Sequence, residues 1–508
     1  MLLRASLLLL IGCSSEKTDI DQPDLGDTGL DEDTGSTPPS DPRFDTLRAA
    51  IEADLSASTA AGVSVAVYEN GAITFAEGFG STRPTEDIPV TPETLFHIGS
   101  TTKMLTAIAV LQDVQDGALS LDTPLAVAYP NSEYALDADW NDEIQIHHLL
   151  SHTAGTYEFY DETANPNDSA LQYWYDNVYF EYLWLMNPPG AFWNYSNANF
   201  SIAGLVLENL SGEPYADLMT ERIFAPLGMD RTYMRKTEAE DDGDYALGNG
   251  YSIQPDGSYD FGAQSIDDVP DAADLRPAGG GTWSTPTQMM AVADLLLNGA
   301  PEVLSDDLLT ELTSPQSPMH GFLDTWSYGY GLMLVDGYEA RGTWYDTPTW
   351  GHNGITLSGS SEFILLPEHG FAISILSSTY GADFSGTIEA ATTSLLDLGE
   401  PADPPEFDYD PERLDDHVGT YEDPFNVGTA IVTRSGSTLE IVMPELEAAE
   451  VTVDTELQTL TDTIFLVTID DVDYDITFIG EPGSPSQYFK NRAFALSRTA
   501  PEGEDDSP

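Results

Sequence analysis

A hydroxyl group and an amine lie three residues apart in the stretch "FHIGSTTKML", residues 96–105, where Lys103 follows Ser100. On a helix, residues at positions i and i+3 lie on the same side, so these two side chains would meet. A neutral amine beside a hydroxyl can accept its proton and turn the serine into a nucleophile. Ser and Thr are also common at ordinary helix starts, where their oxygens accept hydrogen bonds from unpaired amides. The spacing alone therefore leaves both interpretations open.

The residues that follow Ser100 predict a buried helix. The stretch "TTKMLTAIAVLQDVQDG" is apolar around nearly its whole circumference, which is typical of a helix enclosed within a domain. Burying a lysine amine is costly unless the amine is paired or sheds its charge. A second serine–lysine pair at the same spacing, Ser14 and Lys17, lies in a segment without a helical pattern. The surroundings of Lys103 therefore favour nucleophile activation over a simple helix cap.

The first residues predict export. The stretch "MLLRASLLLLIGC" has one positive charge, a short apolar run and a terminal Gly-Cys pair, which is typical of a signal peptide over residues 1–12. The tetrad "LIGC" resembles the lipobox of bacterial lipoproteins. That resemblance implies lipidation at Cys13 and an exported, membrane-anchored protein, periplasmic or on the cell surface. A short apolar leader with a chance cysteine is the alternative. Because Cys13 is the only cysteine among 508 residues, a disulfide within the chain and a thiolate metal site are excluded.

The composition excludes two classes of partner. The chain carries 87 acidic and 17 basic residues, a formal net charge of −70. Such a surface repels nucleic acid and anionic lipid headgroups. Adaptation to saline surroundings and simple solubility both account for the acidity. Residues 13–42 are rich in Asp, Thr, Gly and Pro and are expected to form an acidic, disordered tether.

The remaining chain predicts two folded domains. Hairpins are expected at residues 62–80, around an Asn-Gly turn, and at residues 361–376, followed by a helix over residues 385–398. Strands at both ends that enclose helices indicate an α/β (α+β) domain with an antiparallel sheet flanked by helices. Beyond a linker, alternating strand patterns without a helix predict an all-β domain. The expected divisions are the α/β (α+β) domain at 43–398, a linker at 399–408, the all-β domain at 409–500 and an acidic tail at 501–508.

Three short motifs then carry a family resemblance. They are Ser100-x-x-Lys103, Tyr195-Ser196-Asn197 inside "NPPGAFWNYSNANFSIAGLV", and His352-Asn353-Gly354 inside "TWGHNGITLSG". Together they resemble the motifs of serine β-lactamases and penicillin-binding proteins, above all the class C β-lactamase and D-alanyl-D-alanine carboxypeptidase branch. The likeness covers roughly residues 43–398 and implies a β-lactamase/transpeptidase-like fold. The C-terminal all-β domain is similar in pattern to the lipocalin-like modules that sometimes follow such hydrolases.

The resemblance implies a catalytic role for three side chains. Ser100 would attack a carbonyl carbon, Lys103 would accept its proton, and Tyr195 would exchange a proton with the leaving group or the incoming water. An acyl-enzyme would form without a metal or another cofactor. Asn197 would hold the substrate amide and steady the lysine. The residues expected to bind substrate are Asn197, His352, Gly354 and Ile355, the last of which would complete an oxyanion hole with the Ser100 amide.

His352 departs from the pattern of many β-lactamases, which have a lysine there. A neutral imidazole binds a substrate carboxylate less strongly than a permanent ammonium group. We therefore expect a hydrolase of D-amino-acid-containing peptide amides or small esters, ahead of a β-lactamase. The alternative from another class is a non-catalytic surface lipoprotein that binds cell-wall peptide or a partner. In each case the expected partner is a small molecule or a peptide, and the sequence does not indicate the oligomeric state.

Two further patterns have ordinary explanations. His147, His148 and His152 suggest metal ligands, but no partnering carboxylate motif accompanies them, and the family resemblance puts them in a structural turn. The aromatic residues within 157–186 suggest an apolar substrate pocket, although core packing is the commoner use of such residues.

Overall fold

The computed structural model describes two domains. The described residues are 41–130, 143–158, 170–175, 185–253, 259–266, 280–320, 325–405, 410–423, 427–470 and 472–499. The expected signal peptide, Cys13, the tether up to residue 40 and the acidic tail lie outside them. Within the described residues, no helix has both the length and the apolar character that a bilayer crossing requires.

A large antiparallel sheet organises the first domain. The strands of this domain are β1 (Gly62–Glu69), β2 (Ala72–Arg83), β3 (Glu86–Pro89), β4 (Phe96–His97), β5 (Asn249–Ile253), β6 (Tyr259–Ala263), β7 (Trp283–Ser284), β8 (Ser317–Pro318), β9 (Trp326–Tyr328), β10 (Met333–Val335), β11 (Tyr338–Ala340), β12 (Thr343–Tyr345), β13 (Thr349–Ile355), β14 (Ser360–Leu366) and β15 (Phe371–Ser377). In the described part of the chain, nine of them form one sheet in the order β3-β2-β1-β15-β14-β13-β10-β9-β8. Both expected hairpins are present, because β1 and β2 are joined at Asn70-Gly71 and β14 and β15 at residues 367–370.

Helices cover both faces of this sheet. They are α1 (Asp45–Ala57), α2 (Thr102–Gln115), α3 (Leu125–Ala128), α4 (Ile146–Leu150), α5 (Ala170–Trp174), α6 (Asn197–Ser211), α7 (Tyr215–Met219), α8 (Lys236–Asp242), α9 (Pro286–Asn298), α10 (Asp306–Leu312) and α11 (Ser385–Leu395). In β1, Val65 and Val67 pack with α1 and α11, while Ala66 and Tyr68 point to the opposite face and pack with α2, α6 and α9. The expected antiparallel sheet flanked by helices is thus confirmed. The helix expected over residues 385–398 ends earlier, at Leu395.

The second domain is a closed barrel. Its strands are β16 (Gly419–Asp423), β17 (Gly428–Ser435), β18 (Thr438–Val442), β19 (Glu456–Thr459), β20 (Ile464–Ile469), β21 (Val472–Ile479), β22 (Tyr488–Asn491) and β23 (Phe494–Arg498). Alternate residues face inward, as Leu439 and Ile441 do in β18. The expectation that this domain lacks helices is wrong, because α12 (Leu414–His417) and α13 (Pro444–Ala448) are short helical turns. Each spans little more than one turn, too short for the 3.6-residue periodicity that reveals longer helices.

The barrel packs against the first domain through the hairpin of β22 and β23. The Phe192 ring meets the Tyr488 ring with centroids 5.2 Å apart. Met186 from the first domain and Ala495 from the barrel are buried in the same apolar cluster. The Asn194 amide also donates a hydrogen bond to the Arg492 carbonyl oxygen at 3.1 Å. This contact brings the turn of the hairpin next to the start of α6.

Candidate active site

Ser100 lies in a single 3-10 turn, Gly99–Thr101, that leads into α2. The two threonines behind it anchor this turn to its neighbours. The Thr101 hydroxyl lies 2.7 Å from the Ser361 hydroxyl in β14, and the Thr102 hydroxyl donates to the Thr282 hydroxyl at 3.0 Å. The serine therefore occupies a helix start that is fixed from two sides, while its own side chain stays partly accessible.

Lys103 brings its amine to the serine. Its side chain is fully buried, with 0% exposure, one turn into α2. The Nζ atom lies 3.0 Å from Ser100 Oγ and 2.7 Å from Asn197 Oδ1. These three residues, which the family motifs had singled out in two separate segments, therefore form one hydrogen-bonded group.

Tyr195 lies beside this group. It precedes α6, and its ring centroid is 4.9 Å from Lys103 Nζ. The Tyr195 ring also packs against the His152 imidazole, with ring centroids 4.3 Å apart. The His152 Nδ1 atom accepts a hydrogen bond from the Ser196 backbone N–H at 3.3 Å. The loop that carries His152 thus holds the backbone next to Tyr195 in place.

Two glycines let strand β13 approach the helix start closely. A Cβ atom on Gly354 would lie 2.0 Å from the Ile98 carbonyl oxygen and 2.9 Å from the Ser100 nitrogen. A Cβ atom on Gly99, whose φ is +57°, would lie 2.9 Å from the Ile355 nitrogen. Only glycine fits at either position without displacing backbone. The Ser100 and Ile355 amides, which were expected to form the oxyanion hole, consequently flank the same narrow gap.

His352 lies beneath the site. It is 3% exposed, its Nε2 atom is 3.1 Å from the Tyr328 hydroxyl, and its Nδ1 atom is 2.6 Å from the Asn353 carbonyl oxygen. Burial, followed by the nearby Lys103 charge, lowers the pKa of His352 to about 3. A neutral imidazole with both nitrogens engaged gives a substrate carboxylate no positive charge. The structure thus places His352 as support for β13 and Tyr328.

Sequence reasoning missed two charged residues at this site. The Glu158 carboxylate contacts Asn197 twice, and the Arg492 guanidinium from the barrel lies 4.5 Å above the Tyr195 ring. Neither residue belongs to a motif, and Arg492 lies in the other domain. A pattern along the chain carries no signal for such a contact.

The other candidates have structural surroundings. His147 Nε2 lies 2.9 Å from the Gln145 side-chain oxygen, and His148 Nδ1 accepts from the Gln145 backbone N–H at 3.1 Å. In the aromatic segment, the Tyr175 ring packs edge-on against Tyr129 in the core, and Tyr157 is buried at the barrel contact. Most of that segment, residues 159–169 and 176–184, lies outside the described residues.

Comparison with known proteins agrees with this arrangement. A sequence profile described as "Beta-lactamase" matches residues 47–395, more than half of the chain. The chain therefore belongs to the beta-lactamase family. The match includes all three of the short motifs and ends before the barrel.

Individual members of the beta-lactamase family and its structural relatives extend the comparison. The chain is 29% identical over 377 residues to the unguisins hydrolase of Aspergillus campestris, an alignment that covers 71% of this chain and 65% of that protein, just under two thirds. The crystal structure of SurE with D-Leu has a TM-score of 0.64 at 23% identity and covers 90% of this chain and 99% of its own. A D-amino acid amidase from Ochrobactrum anthropi has a TM-score of 0.55 at 23% identity, with 69% of this chain and 98% of that chain covered. At these identities the two structural matches show the shared fold.

Proposed function

We propose that this beta-lactamase-like serine hydrolase cleaves amide bonds in peptides that contain D-amino acids, or small esters, through an acyl-enzyme on Ser100. The observation that carries the proposal is the 3.0 Å contact between the Lys103 amine and the Ser100 hydroxyl, within the hydrogen-bonded group that these residues form with Asn197. A buried amine favours its neutral form, and a neutral amine can take the hydroxyl proton as the oxygen attacks a carbonyl carbon. Lys103 then carries that proton. The bond from the carbonyl carbon to the leaving amine or alcohol breaks as the leaving group is protonated, the acyl group stays bonded to Ser100, and water later hydrolyses that ester.

The oxyanion of the tetrahedral intermediate would lie in the gap between β13 and the helix start. The backbone N–H groups of Ser100 and Ile355 are fixed there before substrate arrives, because the two backbones approach so closely that neither Gly99 nor Gly354 could carry a Cβ atom. Fixed donors stabilise a charge that develops only during the reaction and so accelerate the chemical step. Tyr195 is suited to pass a proton to the leaving group and to take one from the incoming water, since it lies beside Lys103.

The choice of substrate class follows from the residue that stands where many β-lactamases have a lysine. Because His352 is buried and neutral, it offers no ammonium-like partner for the carboxylate that β-lactam antibiotics carry. The name of one similar protein, the D-amino acid amidase, supports an amide substrate, and another similar protein is named as a hydrolase of unguisins. A peptide amide or ester therefore ranks above a β-lactam for this chain.

A hydrolysis panel tests the proposal. The panel contains p-nitrophenyl acetate, D-alanine and D-phenylalanine amides, a D-Ala-D-Ala peptide and a chromogenic cephalosporin, each with wild type and Ser100→Ala. We expect ester or D-amide turnover that the alanine variant abolishes, together with fluorophosphonate labelling at Ser100. Labelling that persists in the variant would remove Ser100 from the mechanism, and activity confined to the cephalosporin would overturn the substrate ranking. No turnover and no labelling would favour a peptide-binding lipoprotein.

Export, lipidation of Cys13 and anchoring to a membrane stay predictions of the sequence. They are tested by metabolic labelling with a fatty acid in a bacterial host, where Cys13→Ser is expected to remove both the label and the membrane association. Retention of the label in the serine variant would contradict the lipobox interpretation.

A further inference from the structure

The Glu158 carboxylate holds the start of α6. Its Oε2 atom accepts from the Asn197 backbone N–H at 2.5 Å, and its Oε1 atom accepts from the Asn197 side-chain amide at 2.7 Å. The Glu158 side chain is only 1% exposed. The first N–H groups of a helix have no partner within the helix, and negative charge is favourable there. The carboxylate therefore fixes both the backbone and the side chain of Asn197.

This contact decides which way the Asn197 amide points. A carboxylate can only accept hydrogen bonds, so the amide NH2 group must face Glu158. The amide oxygen must then face the other way, where it lies 2.7 Å from Lys103 Nζ. If the amide were reversed, its oxygen would face the Glu158 carboxylate without a hydrogen bond, and its NH2 group would compete for the lone pair with which the Lys103 amine takes the serine proton. Glu158 thus sets the acceptor that holds the lysine against Ser100.

The barrel supplies the opposite charge. Arg492 lies in the turn between β22 and β23, and its Nη2 atom is 3.8 Å from Glu158 Oε1. Its guanidinium carbon lies 4.5 Å above the Tyr195 ring, and its backbone oxygen accepts from the Asn194 amide. The arginine is thus held from both sides at the edge of the catalytic group.

We propose that Glu158 and Arg492 are positioning residues for the Ser100 reaction, and that the barrel completes the active site through them. This inference rests on the proposed function. Glu158 orients Asn197, and Asn197 holds the Lys103 amine toward the serine hydroxyl. A lone carboxylate near the amine would favour the protonated ammonium form, which cannot accept the serine proton. The Arg492 charge offsets it, so that the pair orients the site without adding net negative charge.

Other titratable groups also face the amine. Tyr195 lies against Lys103, and the imidazoles of His152 and His352 are close enough for its charge to lower their pKa further. Burial is the larger cause in both histidines, so both are neutral near pH 7. The Arg492 charge is a further, smaller cause of the lowered pKa of His152, which burial alone already lowers most. Because burial keeps both imidazoles neutral near pH 7, a change in the pH dependence of turnover near pH 7 on substitution of Glu158 or Arg492 is assigned to the Lys103 amine.

Hydrolysis of p-nitrophenyl acetate by the full-length chain tests the proposal, because this neutral ester has no carboxylate for Arg492 to bind. We expect Glu158→Gln to lower kcat about 100-fold. The glutamine oxygen accepts from one of the two Asn197 donors, but its NH2 group faces the other and so misplaces Asn197. Arg492→Met should lower kcat about fivefold at pH 7, consistent with a half-exposed ion pair. KM should change less than about twofold in both, and Arg492→Lys should restore most of kcat.

The pH profile and a double variant separate positioning from a merely structural role. Arg492→Met should move the acidic limb of kcat/KM to higher pH, because the uncompensated carboxylate helps the amine keep its proton. In the Glu158→Gln background, Arg492→Met should have no further effect, since the arginine acts through the carboxylate. Arg434→Met is the matched control, because Arg434 pairs with Asp415 at 2.8 Å on the barrel and should leave kcat unchanged.

Two results would overturn this inference and leave the proposed function intact. One is wild-type kcat in both Glu158→Gln and Arg492→Met while Ser100→Ala is inactive. The second is a loss of kcat on Arg492→Met that is as large in the Glu158→Gln background as in the wild type. An Arg492→Met substitution that changes KM and leaves kcat unchanged would overturn the inference equally. Full turnover in Ser100→Ala would instead defeat the proposed function, and the positioning role with it. Since Arg492 is 40% exposed, its variants are expected to fold, as circular dichroism would verify.

Discussion

Two buried lysines in this protein have similar surroundings and different chemistry. Lys103 is 0% exposed, donates to Asn197 Oδ1 at 2.7 Å and lies 4.9 Å from the Tyr195 ring centroid. Lys490, in the barrel, is 5% exposed, donates to Asn194 Oδ1 at 3.2 Å and lies 5.2 Å from the Trp193 ring centroid. The two asparagines even belong to the same short stretch of chain at the start of α6.

The difference lies in what else meets the amine. Lys103 Nζ is 3.0 Å from the hydroxyl of Ser100, at a helix start where two backbone amides flank a narrow gap. Lys490 lies at the packed contact between the barrel and the first domain. A buried amine beside an asparagine and an aromatic ring is therefore not sufficient for catalysis. The nucleophile and the oxyanion donors make the first site reactive.

The contrast between Lys103 and Lys490 should be largest in the rate of turnover. Replacing Lys103 with Met should lower kcat for p-nitrophenyl acetate about 10⁴-fold, because no base then takes the serine proton. The same substitution at Lys490 should change kcat less than about twofold. Steady-state kinetics on both variants, with folding checked by circular dichroism, measures the contrast. Equal losses in the two variants would remove the distinction between the two lysines.

The oxyanion gap gives the next largest effect. Gly354→Ala should lower kcat about 100- to 1,000-fold, because the added methyl group would lie 2.0 Å from the Ile98 carbonyl oxygen and push β13 away from Ser100. Gly262→Ala in β6 is the matched control, since a Cβ atom there has no neighbour within 4 Å. Ester hydrolysis rates compare the two, and an unimpaired Gly354→Ala enzyme would argue against an oxyanion hole at this gap.

Replacing Lys490 should instead change the free energy of unfolding. Burial lowers the pKa of Lys490 to about 8 from 10.5, so the folded state charges this amine less readily than the unfolded chain does. As pH rises above 8 the folded amine is neutral while the unfolded one still binds a proton, and stability rises with pH. Lys490→Met has no amine at this position, so its stability does not show this rise with pH. We expect it to be about 1 kcal/mol more stable than wild type at pH 7, after the lost hydrogen bond to Asn194 is counted, and to lose that advantage by about pH 10.

Urea unfolding at about pH 7, 8.5 and 10 measures this effect across the range in which the unfolded amine still binds its proton. Lys236→Met is the matched control, because Lys236 is a lysine of the first domain whose amine donates to the Ile266 carbonyl oxygen at 3.3 Å, away from the barrel contact. Its free energy of unfolding is measured beside those of wild type and Lys490→Met at each pH, so that the general effect of replacing a lysine with methionine is known. A wild-type stability that falls relative to Lys490→Met as pH rises would contradict the assigned cause.

The last effect is on stability in acid. Burial, helped by the Lys490 charge, lowers the pKa of His320 to about 4. A histidine with a depressed pKa stabilises the fold above its unfolded pKa of about 6.5, and that stability is lost as pH falls toward about 4. His320→Gln should therefore flatten the loss of stability between about pH 6.5 and 4 by less than about 2 kcal/mol. Thermal unfolding of both proteins across this pH range tests the prediction. If the unfolding temperature falls equally with pH in wild type and in His320→Gln, the prediction is contradicted.

The sequence was sufficient where the determining contacts are local. The apolar circumference of α2, the Asn70-Gly71 turn and the alternation in the barrel strands each follow from residues a few positions apart. The burial of His352 and the contacts of Glu158 and Arg492 join distant parts of the chain. They depend on how β13 and the barrel hairpin pack, which no single segment encodes. The short helices α12 and α13 escaped prediction because one helical turn has no readable period.

The most direct test of the central claim is to locate the acyl group during turnover. The full-length protein is mixed with p-nitrophenyl acetate, quenched in acid within the steady state, digested and analysed by peptide mass spectrometry. We expect an acetyl group on Ser100 in the wild type and none in Lys103→Met quenched at the same time. An acetyl group on another residue, or acylation of Ser100 at the wild-type rate without Lys103, would contradict it.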